Sequence, residues 1–144
     1  MPIETLRGEG FRVELEQRDG YLRALVCDGT DSAEVSIAYH RLLGAECLRR
    51  GARRLLVLED LSDTDEAIDV DSIAAAALES GYDRFRTAFV ELRGKHDVNE
   101  QGELASFMHG LTIRVFITEA QARQWLLYGE IEEDDETPGD ARVA

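Results

Sequence analysis

The 144-residue sequence has few of the features that mark special protein classes, and each shortage excludes a class. It contains two cysteines, two prolines and one tryptophan. No apolar run approaches the roughly 20 residues that a membrane-spanning helix needs. Cys27 and Cys47 are far apart and form no CxxC pair, so we expect two buried, reduced thiols rather than a disulfide framework or a zinc site.

Export signals are also missing from the first ten residues. The segment carries Glu4 and Glu9 and lacks the basic flank, apolar stretch and small-residue cleavage site of a secretory signal. Together with the unpaired cysteines, this predicts a cytoplasmic protein.

The sequence has few basic residues. Thirty acidic residues face sixteen basic ones, which gives a net charge of -14 and a field that repels phosphate backbones and anionic lipids. Nucleic acid is therefore not an expected partner. Much of the excess lies in residues 130–144, which we expect to be an acidic, disordered tail following a domain at 1–129.

The sequence lacks the common signatures of catalysis and cofactor binding. It has no Walker loop, no G-x-S-x-G nucleophile elbow and no histidine pair at metal-binding helical spacing. We expect no cofactor and no catalytic residue, and we expect His40, His96 and His109 to be surface or half-buried side chains.

What is present is an alternation of strand and helix patterns. Strands are predicted at 11–16 and 21–27, joined at Asp19-Gly20, and at 55–58, 87–92 and 113–117. Helices are predicted between them, with caps at Asp31, at Asp71 or Ser72, at Asp97 and at Thr118, and with ends at Gly51, Gly81 and Gly129. The prediction is an α/β fold with a five-stranded, mixed, mostly parallel sheet, an N-terminal hairpin and flanking helices.

The most acidic segment holds seven carboxylates between Glu59 and Asp71. A loop beyond the carboxyl end of a strand is a common place for a site, and hard cations prefer carboxylates. Asp60, Asp63 and Asp65 are the weak candidates for a divalent-cation enzyme, although the run lacks the glycine and terminal glutamate of a calcium loop. A solvated loop is the more ordinary interpretation, so we expect no metal.

Three stretches carry a resemblance to a known family. They are FRVELEQRDGYLRALVCDG, RRLLVLEDL and TIRVFITEAQARQWL, the last being the most specific. They resemble the STAS-like (SpoIIAA-like) family, related to bacterial anti-sigma-factor antagonists, over roughly residues 10–129. The resemblance implies a regulatory, protein-binding module without enzymatic activity, or a carrier of a small apolar or lipid-like ligand.

The resemblance also implies one site. In the antagonists a phosphorylatable serine follows an aspartate at the start of the helix after the central strand, and Asp71-Ser72 stands at the comparable place. The family has a glycine shortly after this serine, whereas this sequence has Ile73-Ala74-Ala75 there. Ser72 is the candidate switch and a plain helix cap is the alternative. The protein partner, the pathway and a homodimeric state stay open.

Overall fold

The protein is described by a computed structural model that covers residues 2–63, 67–94 and 96–135, with side chains outside the description at 96–98 and 130–135. The strands are β1 (Ile3–Gly8), β2 (Phe11–Arg18), β3 (Tyr21–Thr30), β4 (Arg54–Ser62), β5 (Arg86–Glu91) and β6 (Ile113–Phe116). The helices are α1 (Ala33–Arg50), α2 (Val70–Glu79), α3 (His96–Met108) and α4 (Glu119–Asp135), with a short 3-10 turn at Tyr82–Arg84.

The six strands form one mixed sheet in which spatial order follows chain order. β1, β2 and β3 pair antiparallel, whereas β3, β4, β5 and β6 pair parallel. The predicted α/β class and the hairpin between β2 and β3 are confirmed, with Gly20 at φ 90° in the turn. The prediction of five strands is wrong: Ile3–Gly8 adds a sixth along the exposed edge of β2.

Two apolar clusters lie on opposite faces of the sheet. One face packs on α1 and α2 through Val13, Ala24, Val57, Tyr39, Leu43 and Ala77. The other packs on α4 through Leu56, Leu58, Ala88, Val90, Trp125 and Leu126. Successive β4 residues alternate between these clusters because strand side chains point to opposite faces with a period of two.

Several predicted helix caps are wrong by a few residues. α1 is capped by Ser32, whose hydroxyl accepts from Val35 N at 3.1 Å, and not by Asp31. α2 is capped by Asp69 and not by Asp71 or Ser72. Capping-box spacing identified the right turns but not the right residue, because short polar side chains crowd each junction.

Other helix ends differ as well. α3 begins at His96, so Asp97 lies inside the helix instead of before it. The Thr118 cap is confirmed, since Gln121 N donates to its hydroxyl at 3.2 Å, and so is the end of α1 at Gly51. α4 continues past Gly129 to Asp135, so the predicted end there is wrong. Residues 136–144 lie outside the described residues, and the disorder of the tail stays a prediction.

The two cysteines are buried and free, as expected. Burial raises the pKa of the Cys47 thiol to about 12. The thiol of Cys47 is therefore protonated at neutral pH and serves as a small apolar group in the core.

Candidate functional site

The carboxyl ends of the central parallel strands gather acidic side chains on the face covered by α1, α2 and α3. Glu59 and Glu91 are register partners on β4 and β5, and Asp31 directly follows β3. All three are buried, with exposed fractions of 4%, 4% and 7%. Buried acids are uncommon because a carboxylate loses its hydration when it enters the protein interior.

Glu59 was grouped with the acidic loop by its sequence, and the structure corrects this. β4 continues through Asp60 to Ser62, where Ser62 pairs with Thr30 of β3, so Glu59 is a strand residue. Its side chain follows Leu55 and Val57 onto the α1 side of the sheet. The alternation Leu55, Val57, Glu59 was the signal that an acid would lie at the end of a buried strand face.

α1 donates hydrogen bonds to two of these acids, Glu59 and Asp31. The hydroxyl of Tyr39 donates a short hydrogen bond to Glu59 Oε2, and the hydroxyl of Ser36 lies 3.4 Å from Asp31 Oδ1. Burial, followed by the charge of Glu59, raises the pKa of Tyr39 well above its ordinary value of 10.0. The phenol thus stays protonated and remains a donor to the carboxylate.

His40 is the next residue of α1, and the expectation of a surface or half-buried side chain is wrong for it. It is 7% exposed, and its Nδ1 lies 2.9 Å from the hydroxyl of Tyr82, which is fully buried. Burial lowers the pKa of His40 to about 4, so the imidazole is neutral at physiological pH. A histidine beside an apolar helix stripe gave no sequence signal that distinguished burial from exposure.

A cavity of about 90 Å³, partly open to solvent, lies between these polar groups and the helices. Its polar lining includes Asp31, Ser36, Tyr39, His40, Glu59 and Ser106. Its apolar lining includes Ile68, Val70, Ile73, Ala77, Phe89 and Val115. A mainly apolar concavity with a few convergent polar groups is the usual form of a small-molecule site.

Two close contacts join elements that line the cavity. A Cβ at Gly44 of α1 would come within 2.5 Å of the Ser80 carbonyl oxygen, so only glycine allows α1 and α2 to approach this closely. On the far wall, Glu103 of α3 accepts a hydrogen bond from Val115 N at 2.8 Å, which ties α3 to β6.

The comparisons with known proteins give no family. No protein-family model matches the chain, and no curated protein matches it with significance. Among solved structures, the chain is similar to a malonate decarboxylase MdcD–MdcE hetero-dimer from Pseudomonas. That likeness has 16% sequence identity and a TM-score of 0.42, and it covers 97% of this chain and 83% of that chain. A likeness at this level carries no argument about activity or partners.

The candidate switch lies outside the cavity. Ser72 is exposed in the first turn of α2, where its backbone N–H donates to Asp69 Oδ1 at 3.1 Å and its hydroxyl donates to Asp69 Oδ2 at 2.7 Å. These hydrogen bonds, the side-chain one first, lower the pKa of Asp69. Asp71 is exposed and lies 3.8 Å from His109 Nε2. Whether Ser72 is modified stays a prediction.

The structure describes two of the three metal candidates, Asp60 and Asp63. Asp60 accepts from Arg93 Nε at 2.8 Å, Asp63 is exposed, and Asp65 lies outside the described residues. Within ranges 2–63, 67–94 and 96–135, no three histidine, cysteine or acidic side chains are placed to hold a metal ion. None of the helices in those ranges combines the length and apolar composition that crossing a bilayer requires.

Proposed function

We propose that the chain is a non-enzymatic binding module that takes a small ligand with an apolar body into the cavity between the sheet and α1, α2 and α3. The observation that carries the proposal is the cavity itself, where apolar helix residues face a group of buried polar side chains. The resemblance to STAS-like proteins, which include carriers, supports the same function.

Native mass spectrometry of freshly purified protein is the direct test, since a bound molecule adds its mass to the chain. We expect a ligand-bound species that disappears on denaturation. A mass equal to that of the chain alone would argue against a carrier, and a binding experiment with a small probe then tests the cavity directly.

Gly102 offers a matched pair of variants for that experiment. It lies in α3, lines the cavity, and a Cβ built there would meet no atom within 4 Å. Gly102→Ala and Gly102→Leu should both stabilise α3 by removing a helical glycine, by about 0.5–1 kcal/mol. Only the leucine is large enough to occupy the cavity.

The neutral probe 3-methylbutan-1-ol tests the difference by titration calorimetry. We expect wild type and Gly102→Ala to bind it, and Gly102→Leu to lose binding while remaining folded. Equal binding by both variants, or no binding by any protein, would remove the cavity as a ligand site.

A protein-interaction role is the second candidate, favoured by a separate surface that we call the α3–β6 surface. It consists of Leu104, Phe107 and Met108 on α3, which are 62%, 73% and 75% exposed, and the neighbouring edge strand β6. Exposed apolar side chains next to an edge strand are typical of an association surface. The regulatory role implied by the STAS-like resemblance would act through such a surface.

Sedimentation velocity over a range of concentrations tests whether this surface associates with a second copy. Phe107→Glu should weaken any self-association, whereas Tyr128→Glu, an exposed aromatic on α4, should leave it unchanged. If the chain sediments as a monomer at all concentrations, the partner of the α3–β6 surface must be a different protein.

A further inference from the structure

The two ring nitrogens of His40 have different surroundings. Nδ1 lies 2.9 Å from the hydroxyl of Tyr82, which is fully buried and is not among the residues that line the cavity. His40 does line the cavity. Because Nδ1 is directed at Tyr82, Nε2 is the nitrogen that remains for the cavity side of the ring.

The hydrogen bond with Tyr82 decides which ring nitrogen carries the proton. Burial raises the pKa of Tyr82 and lowers the pKa of His40, so both side chains are neutral at pH 7. Among the described residues, His40 is the one hydrogen-bond partner of the Tyr82 hydroxyl. If Nδ1 donated, the buried phenol proton would have no acceptor, which is costly. The phenol therefore donates to Nδ1, and the imidazole proton lies on Nε2.

The Nε2–H group is thus a neutral donor at the wall of the cavity. The other donors that α1 places there, the hydroxyls of Tyr39 and Ser36, already donate to carboxylates. Within the described part of the chain, His40 has no hydrogen bond besides that with Tyr82. Its Nε2–H is available to an oxygen atom that enters the cavity.

The rest of the lining indicates which kind of molecule would supply that oxygen. Ile73, Phe89 and Val115 give the cavity apolar walls, and no lysine or arginine belongs to the described lining. An anion would find no cationic side chain there. An ammonium group has no lone pair with which to accept from Nε2–H. A neutral acceptor on an apolar body fits both the donor and the walls.

We propose that the cavity binds a short, neutral carbonyl compound, a ketone, ester or amide, whose oxygen accepts a hydrogen bond from His40 Nε2–H. This rests on the proposed function, that the cavity is a ligand site. The volume of about 90 Å³ is smaller than the roughly 150 Å³ that holds benzene, so the apolar body is about four or five carbons. Tyr82 is a positioning residue, since it keeps the proton on Nε2.

Long-range proton–nitrogen NMR of the free protein at pH 7 tests the donor without any ligand. Protonated and unprotonated ring nitrogens have separate nitrogen shifts, and the His40 signals are identified by their loss in His40→Asn. We expect the proton on Nε2 in wild type, and a shift of the tautomer population toward Nδ1–H in Tyr82→Phe. A wild-type protein with the proton on Nδ1 would overturn the inference, and this measurement needs no variant to bind anything.

Three probes of nearly the same shape test the ligand class on the full chain at pH 7. The ketone 3-methylbutan-2-one carries the carbonyl, the alkene 2,3-dimethylbut-1-ene has a methylene group in place of the oxygen, and 2-methylpropanoate carries a negative charge. We expect the two neutral probes to bind and the carboxylate not to bind. NMR titration gives the affinities, since probes of this size bind weakly.

His40→Asn removes Nε2 and keeps an amide oxygen near the position of Nδ1 to accept from Tyr82. It should lower ketone affinity about tenfold more than alkene affinity, because one hydrogen bond is lost from the ketone complex alone. His40→Gln, whose amide nitrogen reaches the position of Nε2, should recover part of the difference. His109→Asn is the matched control, since it makes the same change at a half-buried histidine outside the cavity lining.

The outcomes distinguish this inference from the ligand site itself. If His40→Asn weakens ketone and alkene binding equally, or if 2-methylpropanoate binds more tightly than the ketone, the carbonyl inference is overturned while the ligand site stands. The inference also fails if His109→Asn has the same effect as His40→Asn. If neither these probes nor 3-methylbutan-1-ol binds to wild type, the ligand site is refuted.

Discussion

The two faces of the sheet are built from the same strands but are packed in different ways. On the α4 face, Leu56, Leu58 and Trp125 belong to a closed apolar cluster, held further by Arg54 Nε donating to the Leu126 carbonyl at 3.0 Å. On the opposite face, the same β4 strand ends in buried Glu59, and α1 adds the polar side chains of Tyr39 and His40. The comparison teaches that both faces contain an apolar core, and that only the face covered by α1 and α2 combines this core with the buried polar side chains of the candidate site.

The strongest test of this division removes a large side chain from each face. Trp125→Ala should destabilise the protein by roughly 3–5 kcal/mol, because Trp125 is 7% exposed and packs against Phe116 and Arg86. Phe89→Ala should cost clearly less, since Phe89 is half-buried and lines the cavity. Urea unfolding followed by circular dichroism measures both. Equal losses would show that the site face is packed as tightly as the other.

A second test of the comparison concerns the buried hydrogen bond between Tyr39 and Glu59. Tyr39→Phe should cost about 2–3 kcal/mol, because it removes the donor of a short hydrogen bond to a buried carboxylate. Glu59→Gln in the same background should recover part of the loss, and a double-mutant cycle in urea gives the coupling energy. Strict additivity of the two changes would show that the contact contributes nothing to stability.

His40 makes the site face sensitive to acid. Its folded pKa of about 4 lies below the ordinary 6.5, so the unfolded chain binds the proton more readily between these values. The stability that neutral His40 contributes is complete above pH 6.5 and falls as pH drops toward 4. Between pH 6.5 and 5 the loss from this residue is roughly 1–2 kcal/mol.

The His40→Gln variant isolates this effect from the titration of the many carboxylates. Urea unfolding at pH 6.5 and at pH 5 should show a smaller decrease in stability for the variant than for wild type. An unchanged decrease would mean that His40 is not the group whose protonation opposes folding.

The start of α2 should give a smaller effect because it is exposed. Asp69→Ala removes the N-cap and should lower the melting temperature by roughly 2–4 °C. Ser72→Ala should have less effect, whereas Ser72→Glu, which imitates phosphorylation, places a negative charge beside Asp69 and should destabilise more than alanine does. Differential scanning calorimetry compares the three. Mass spectrometry of protein from its native host tests the switch itself, which an unmodified Ser72 under all growth conditions would contradict.

The smallest expected effect is that of divalent cations. Millimolar Mg²⁺ or Ca²⁺ should leave the melting temperature almost unchanged, because Asp60 is paired with Arg93 and no three described histidine, cysteine or acidic side chains are placed to hold a metal ion. A rise of several degrees that Asp63→Asn and Asp65→Asn abolish would restore the metal-dependent enzyme as a candidate function.

The spacing of apolar residues and the identity of the turn residues determined much of the fold. The alternation from Phe11 to Glu16, the Asp19-Gly20 turn and the helical spacing after Ser32 predicted the hairpin, the α/β class and most elements, since these signals are local. The strand at Ile3–Gly8 was not predicted because its side chains are mostly exposed and show no apolar alternation. It forms a strand because its backbone pairs with the edge of β2.

Only the tertiary structure decided the site. Asp31 and Glu59 belong to separate segments of the chain, and Asp31, His40 and Glu59 were interpreted as a cap, a surface or half-buried residue and part of an acidic loop. They come together because parallel strands end at one edge of the sheet and α1 crosses above that edge. Burial depends on neighbours from α1, α2 and α3 at once, and a local pattern in one segment contains no information about the segments that will cover it.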